Sequence, residues 1–125
     1  YGGNYLACRA GLAVMEALLD DGVLDRAAAA GERLRQGLVA LSRRHPGVFG
    51  EVRGLGLMLG VELHVAGSEF VAACTRHGLL VNVIGDKVLR LLPPLIVTDS
   101  EIDEALRLLE LACEECASAC PSSAS

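Results

Sequence analysis

Three of the five cysteines lie close together near the end of the chain and are the first candidates for chemistry. The spacing Cys113-x-x-Cys116-x-x-x-Cys120 resembles part of an iron–sulfur ligand run, in which each thiolate binds iron. Such a site needs a fourth ligand, and neither Cys8 nor Cys74 is placed to supply an obvious one. Cys113 and Cys116 also fall where a helix end would carry small apolar residues. We therefore favour uncoordinated thiols and predict no metal site.

The histidines and the single lysine offer no catalytic arrangement. His45 and His77 fall at predicted helix ends, His64 ends a predicted strand, and no His-x-x-x-His pattern occurs, so a zinc site has little support. Lys87 is predicted in an exposed hairpin turn, whereas a Schiff-base lysine requires a desolvated pocket that lowers its pKa. We expect no catalytic residue within this chain.

The glycine pattern Gly54-x-Gly56-x-x-x-Gly60 resembles a dinucleotide-binding fingerprint. It lies between two predicted strands, whereas the fingerprint requires a strand followed by a helix. We interpret these glycines as a tight turn and a place where backbone packs closely against a neighbour.

Arg90 is the one charged residue inside an otherwise apolar run, residues 88–95. A guanidinium stays protonated, and burying it is costly unless a carboxylate pairs with it. The residues alone leave two readings equally open, a strand residue facing water or a buried anion binder.

The elements that would position these residues follow from hydrophobic periodicity and turn signals. Helices are predicted at 4–21, 23–45 and 68–77, and a Thr98–Glu101 capping box opens a last helix. Strands are predicted at 48–53, 57–63, 79–84 and 88–92, the last two joined by a tight Gly85-Asp86 turn. This order predicts an α+β fold, with an antiparallel or mixed sheet and helices on one face. The first helix carries so few polar residues that we expect it to be buried on most sides.

Composition limits the class of protein. The chain has 125 residues, of which 52% are apolar and 3% aromatic, so we expect a core of Leu, Val, Ala and Ile rather than of rings. A net charge of −5 argues against nucleic-acid binding by a basic face. No apolar run is long enough to span a bilayer, and no signal peptide is visible. The odd cysteine count favours a reducing cytoplasm, and residues 117–125 are predicted to form a disordered tail.

Four blocks in order resemble the class-III pyridoxal-phosphate-dependent aminotransferases: GGNYLAC at 2–8, VRGLGLMLGVEL at 52–63, GLLVNVIGD at 78–86 and RLLPPLI at 90–96. The resemblance covers roughly residues 1–113, and the last two blocks are most similar to members acting on N-acetylornithine. It implies a fold-type-I homodimer. Residues 1–22 would then end the large cofactor-binding domain and form an inter-domain helix, and residues 23–116 would form the C-terminal small domain.

The resemblance also implies roles for particular residues. Gly2, Gly3 and Asn4 match a loop beside the cofactor phosphate of the neighbouring subunit. Arg90 matches an arginine that binds a substrate carboxylate or pairs with an active-site glutamate between half-reactions. Tyr5 departs from the family, which usually has proline there. The Schiff-base lysine, and most of the cofactor site, would lie upstream.

The expected activity is transfer of an amino group from N2-acetyl-L-ornithine to 2-oxoglutarate in arginine biosynthesis, with this fragment inactive alone. One alternative is another class-III enzyme acting on ornithine, succinylornithine or 4-aminobutyrate. A second is a non-catalytic α+β interaction module, which the apolar first helix would also suit.

Overall fold

The predicted order of elements is confirmed in a computed structural model, which describes residues 2–119. Four helices and four strands form an α+β fold. In chain order they are α1 (Tyr5–Asp20), α2 (Val23–Arg44), β1 (Phe49–Leu55), β2 (Met58–Leu63), α3 (Gly67–Arg76), β3 (Asn82–Ile84), β4 (Val88–Leu91) and α4 (Asp99–Ala119). None of the described helices is long and apolar enough to cross a membrane.

The four strands form one sheet in the order β1-β2-β4-β3, and every neighbouring pair is antiparallel. Side chains alternate across it: Leu59, Val61 and Leu89 are buried, whereas Met58 and Arg90 are exposed. Helices α2 and α3 pack on the buried side, and α4 packs against both of them. The other side, called the open face below, has no helix over it in the described residues. The prediction of helices on one face is therefore confirmed.

The core is mostly aliphatic, as expected, but the expectation that it lacks rings is wrong. Phe49 and Phe70 are 1% and 0% exposed, and their ring centroids lie 5.3 Å apart at a tilted angle. They join the start of β1 to α3, with Leu38, Leu41 and Leu109 also fully enclosed in the same cluster. A low aromatic content therefore did not exclude rings from the core, because both phenylalanines are in it.

Helix α1 has no buried residue, although much of its surface is apolar. Asn4 is the N-cap of α1, because its side chain accepts hydrogen bonds from the backbone amides of Leu6 and Ala7. It ends at Asp20, and Gly22 beyond it has a φ of 65°, the left-handed conformation predicted for that glycine. The expected burial of α1 on most sides is not found within this chain.

Helix α2 approaches the β1–β2 turn so closely that only backbone fits between them. A β-carbon at Gly31 would lie 2.5 Å from the carbonyl carbon of Gly56. The glycines at 54 and 56 thus form a tight turn packed against neighbouring backbone, as predicted, and not a nucleotide-binding loop.

Strand β3 is shorter than predicted, because the chain after α3 is still bonded to that helix. The amide of Leu79 donates to the carbonyl of Cys74, and that of Gly78 donates to Thr75. Gly78 has a φ of 84°, so these bonds form a left-handed helix end. Amides used in this way are not available to a strand, which begins only at Asn82.

The β3–β4 turn also supplies the cap of α3. Gly85 and Asp86 both have positive φ, 58° and 59°, as the predicted tight turn requires. The Asp86 carboxylate accepts a hydrogen bond from the amide of Ser68 at 2.7 Å, and its carbonyl accepts one from Gly67 at 3.1 Å. The residue at the helix start, Ala66, has no side chain that could cap.

Replacing Asp86 with alanine should lower the free energy of unfolding by about 2 kcal/mol. The loss of the cap on α3 contributes about 1 kcal/mol. Alanine at positive φ contributes about 1 kcal/mol more, because its side chain cannot form the local hydrogen bond that stabilises aspartate in this conformation. Asp86→Gly, which keeps the turn and loses the cap, should cost less, and Asp86→Asn least. Thermal unfolding followed by circular dichroism would measure this, and equal losses in all three variants would contradict it.

Helix α4 begins at the predicted capping box and runs further than expected. The amide of Thr98 donates to the Glu101 carboxylate at 2.8 Å, and the amide of Glu101 donates to the Thr98 hydroxyl at 3.3 Å. The helix continues through Ala119, so the predicted disorder is wrong for residues 117–119. Cys116 is buried there, and the Ser118 hydroxyl donates to the Glu114 carbonyl. Residues 120–125 lie outside the described part of the chain.

Candidate functional site

A row of four residues crosses the open face in register, one from each strand. Arg53 on β1 pairs with Gly60 on β2, Gly60 pairs with Arg90 on β4, and Arg90 pairs with Asn82 on β3. Directly paired residues of an antiparallel sheet point to the same side. The row therefore presents two guanidinium groups and one amide, with no side chain at its second position.

Arg90 is exposed on the open face, so within this chain it is a strand residue facing water and not a buried one. Among residues 2–119, no carboxylate lies within salt-bridge distance of its guanidinium. Its bidentate donor groups are consequently available to an anion that approaches the open face.

Five of the helical arginines each form a close pair with a carboxylate, whereas Arg9 and Arg43 form none among residues 2–119. Arg33 donates to both carboxylate oxygens of Asp103 at 2.7 and 2.9 Å, which links α2 to α4. These hydrogen bonds lower the pKa of Asp103. Further carboxylate pairs are Arg35–Glu32, Arg44–Glu110, Arg76–Glu115 and Arg107–Glu104. Close pairing is thus common on the helices, and Arg90 departs from it.

Apolar side chains flank the arginine row on one side. Leu55, Met58, Leu80 and Leu92 are 88%, 61%, 87% and 57% exposed. Next to them a cleft of about 470 Å³ opens between the β3–β4 edge and α4, lined mainly by apolar residues but including Asn82, Arg90 and Glu101. A ligand carboxylate at Arg90 would therefore sit beside a surface that suits aliphatic groups.

The second predicted group of site residues lies at the start of α1. Gly2 and Gly3 form an exposed turn, and a β-carbon at either would meet nothing within 4 Å. Their open backbone, next to a helix N-terminus, fits a phosphate oxygen, since amides there attract anions. The Asn4 side chain is already used in capping α1. Helix α1 packs mainly against α2 and not against the strand that carries Arg90, so this turn and Arg90 lie on different elements that are not packed together.

No described residue fits the covalent role toward pyridoxal phosphate. Lys87 is exposed in the β3–β4 hairpin, as predicted, and lacks the desolvation that a Schiff-base lysine needs. The described residues thus fit contacts to the cofactor phosphate and to a carboxylate.

Three of the four described cysteines, Cys74, Cys113 and Cys116, are buried, whereas Cys8 is exposed. Burial raises the pKa of Cys74 and Cys113 to about 12, and also raises that of Cys116. Thiols with such pKa values stay protonated at neutral pH and are poor metal ligands. Within the described residues, no group of three or more potential ligands is placed to hold a metal ion. Cys120 of the predicted run lies outside those residues.

Two of the three histidines make hydrogen bonds through a ring nitrogen, whereas the buried Nε2 of His45 has no hydrogen-bond partner among the described residues. His77 ends α3 and its Nε2 lies 3.0 Å from Glu115 on α4, while His64 Nδ1 lies 2.8 Å from the carbonyl oxygen of Pro46. His45 ends α2, with its Nε2 buried and 3.9 Å from Glu110. These contacts join elements of the fold and leave no cluster for catalysis.

Arg53 was not singled out from the sequence, although it lies within one of the four family blocks. A signal was present: a turn at Gly54-Leu55-Gly56 places Arg53 opposite Gly60 in a hairpin. What the sequence did not contain was the pairing of β2 with β4, which brings Arg90 into the same row.

Comparison with known proteins gives the family. The family described as "Aminotransferase class-III" matches residues 1–113. An acetylornithine aminotransferase from Synechocystis sp. is 46% identical over 116 residues, which cover 90% of this chain and 27% of that protein. The chain thus spans little more than a quarter of the length of that relative.

Solved structures agree in fold. N-acetylornithine aminotransferase from Stenotrophomonas maltophilia is 33% identical, with a TM-score of 0.84 over 95% of this chain and 34% of that one. Ornithine aminotransferase from Toxoplasma gondii is 26% identical, with a TM-score of 0.82 over 91% of this chain and 28% of that one. The blocks at 2–8, 52–63, 78–86 and 90–96 therefore identified the family correctly, and the chain belongs to the class-III aminotransferases.

Proposed function

We propose that this chain is part of an aminotransferase that moves an amino group from N2-acetyl-L-ornithine to 2-oxoglutarate in arginine biosynthesis. Membership of the class-III family and the acetylornithine aminotransferases among its relatives support the reaction and the donor. The cofactor would be pyridoxal phosphate, which supplies an electron sink for the carbon that exchanges its amino group.

The observation that carries the proposal is Arg90, an exposed arginine on the open face with no carboxylate partner among the described residues. Its planar guanidinium can bind a substrate carboxylate through two parallel hydrogen bonds, which fixes both position and orientation. Both amino donor and oxo acid carry such a carboxylate, so one residue would orient both in turn. Between half-reactions Arg90 would pair with a glutamate supplied upstream.

The α1 turn would serve the cofactor rather than the substrate. Backbone amides at Gly2 and Gly3 would donate to the cofactor phosphate of a neighbouring subunit, with Asn4 holding the helix start in place. This role requires a homodimer, which we propose on the same basis. The exposed apolar surface of α1 supports it, because such a helix needs a covering partner.

Without a lysine for the Schiff base, we expect the chain alone to be inactive. Residues 1–22 would belong with the large cofactor-binding domain and 23–116 with the small domain. The protonated buried thiols suit a reducing compartment, and we propose the cytoplasm.

A second donor remains a specific alternative. The fold of the chain matches that of an ornithine aminotransferase, with a TM-score of 0.82, about as well as that of an acetylornithine enzyme, with a TM-score of 0.84. The residues that contact the far end of the donor would lie upstream. Ornithine, succinylornithine and 4-aminobutyrate are therefore the competing donors. If no cofactor is bound at all, the apolar surface of α1 favours an interaction module.

The test uses the polypeptide that contains this chain together with the upstream lysine. We expect purified protein to bind pyridoxal phosphate and turn yellow, and the colour to bleach faster with N-acetylornithine than with the three competing donors. If the colour bleached only with one of the competing donors, that compound and not N-acetylornithine would be the amino donor. A colourless protein that ignores the cofactor would overturn the aminotransferase proposal.

A further inference from the structure

Two helices of the fold end in the same pair of residues, an arginine followed by a histidine. The pairs are Arg44-His45 at the end of α2 and Arg76-His77 at the end of α3. Each pair lies against a glutamate of α4, which is Glu110 for α2 and Glu115 for α3. Helix α4 is thus contacted at two points by the ends of the two helices on which it packs.

The arrangement at the end of α3 is complete. Arg76 contacts one oxygen of the Glu115 carboxylate, and His77 Nε2 lies 3.0 Å from the other oxygen. Hydrogen bonding to Arg76, and to a smaller extent to His77, lowers the pKa of Glu115. One carboxylate therefore accommodates a guanidinium and an imidazole together.

The arrangement at the end of α2 lacks one contact. Arg44 lies 3.0 Å from Glu110 Oε1, but His45 Nε2 lies 3.9 Å from the same oxygen, which is beyond hydrogen-bond distance. The His45 side chain is only 16% exposed, and its Nε2 is buried with no hydrogen-bond partner among the described residues. A buried polar atom without a partner lowers stability, and a small movement of either side chain would provide one.

The charges around His45 act in both directions. The end of a helix of 22 residues attracts a cation, and so does Glu110, whereas burial and the neighbouring Arg44 oppose a second positive charge. Closing the gap to Glu110 strengthens the attraction, because Coulomb energy grows as the distance falls. Cys113, beside Glu110, stays neutral because burial raises its pKa to about 12. The other titratable groups around this helix end are Arg43 on α2, Glu114 on α4, and His64, which contacts the Pro46 carbonyl.

We propose that His45 and Glu110 form a pH-dependent latch between α2 and α4, open when His45 is neutral and closed when it is protonated. The proton comes from solvent and gives Nε2 both a hydrogen to donate and a positive charge. The ring then contacts Glu110 as His77 contacts Glu115. The folded chain holds this proton more tightly than the unfolded chain, so the latch adds stability at acidic pH. That contribution is lost as the pH rises through the histidine range, at about pH 6.5. The latch is independent of the aminotransferase reaction.

Hydrogen–deuterium exchange on the cofactor-bound polypeptide with its upstream part would measure the latch locally, on peptides from the end of α2 and the middle of α4. Protection factors, corrected for intrinsic exchange, are compared at about pH 6 and about pH 8, on either side of the ordinary histidine value. His45→Gln keeps a neutral donor at this position but cannot be protonated. We expect it to lower protection about 5-fold at the lower pH, the size of a modest ion pair. At the higher pH it should match wild type.

Arg44→Gln is the matched control, because it removes the other contact to Glu110 with a group that stays charged at both pH values. Its loss of protection should be the same at both. Glu110→Gln should remove most of the pH-dependent effect of His45→Gln when the two changes are combined. An effect of His45→Gln that is equal at both pH values, or that persists undiminished in the Glu110→Gln variant, would overturn the proposal.

Discussion

Replacing Arg90 with alanine should lower kcat/KM for N-acetylornithine about 10- to 100-fold while the protein keeps its cofactor. The loss is that of a charge-assisted hydrogen-bonded pair to the substrate carboxylate, about 1.5 to 3 kcal/mol, and about 1.4 kcal/mol corresponds to a factor of ten. Because Arg90 is exposed and makes no salt bridge among residues 2–119, its removal should leave the fold intact. Steady-state kinetics on the cofactor-bound polypeptide would measure the change.

Two variants separate recognition from charge. Arg90→Lys keeps the positive charge but loses the planar fork, so we expect only part of the activity to return. Arg43→Ala serves as the control, because Arg43 is an exposed arginine on α2, and it should be indistinguishable from wild type. If Arg90→Ala retained wild-type kcat/KM for both substrates, Arg90 would not be the carboxylate-binding residue. The exposed Arg90 would then no longer support the proposed function.

Replacing Phe70 with alanine should lower the free energy of unfolding of the 125-residue chain by about 3 to 5 kcal/mol, the usual range for removing a buried phenylalanine. Phe70 is 0% exposed and packs on Phe49, so its removal leaves a cavity between α3 and the start of β1. Domains have only about 5 to 15 kcal/mol in total. The variant should therefore unfold at a much lower urea concentration, as followed by circular dichroism.

The comparison variants are Phe70→Leu and Leu80→Ala. Leucine fills much of the space and should cost less than about 1.5 kcal/mol. Leu80 is 87% exposed, and its truncation should change stability by no more than about 0.5 kcal/mol. A Phe70→Ala variant as stable as Leu80→Ala would show that the contact between the two rings is not part of the stable core.

Local signals in the sequence predicted most of the fold because each was complete within a few residues. The Thr98–Glu101 capping box and the Gly85-Asp86 turn both form as expected, with their own side chains or backbone angles supplying the geometry. The predicted start of β3 was wrong because the true start depends on hydrogen bonds that Gly78 and Leu79 donate back to α3. The predicted end of α4 was wrong because the burial of Cys116, a tertiary effect, outweighs the small and polar residues that follow it in the sequence.

The candidate site shows the same division. The family resemblance marked Arg90, but its surroundings could not be read from so short a strand. Which side of the sheet it faces, and that Arg53 stands two strands away on the same side, follow only from the pairing of β2 with β4. That pairing joins segments far apart in sequence and leaves no local pattern.

The sheet order also bears on how the chain folds. Strands β1 and β2 form one hairpin and β3 and β4 another, each closed by a short turn. Such local pairs lose little loop-closure entropy and form early, whereas contacts between distant segments form slowly. The seam between the hairpins runs through Gly60 and Arg90. We therefore expect the row that carries both arginines to form when the two hairpins dock, after each hairpin has closed.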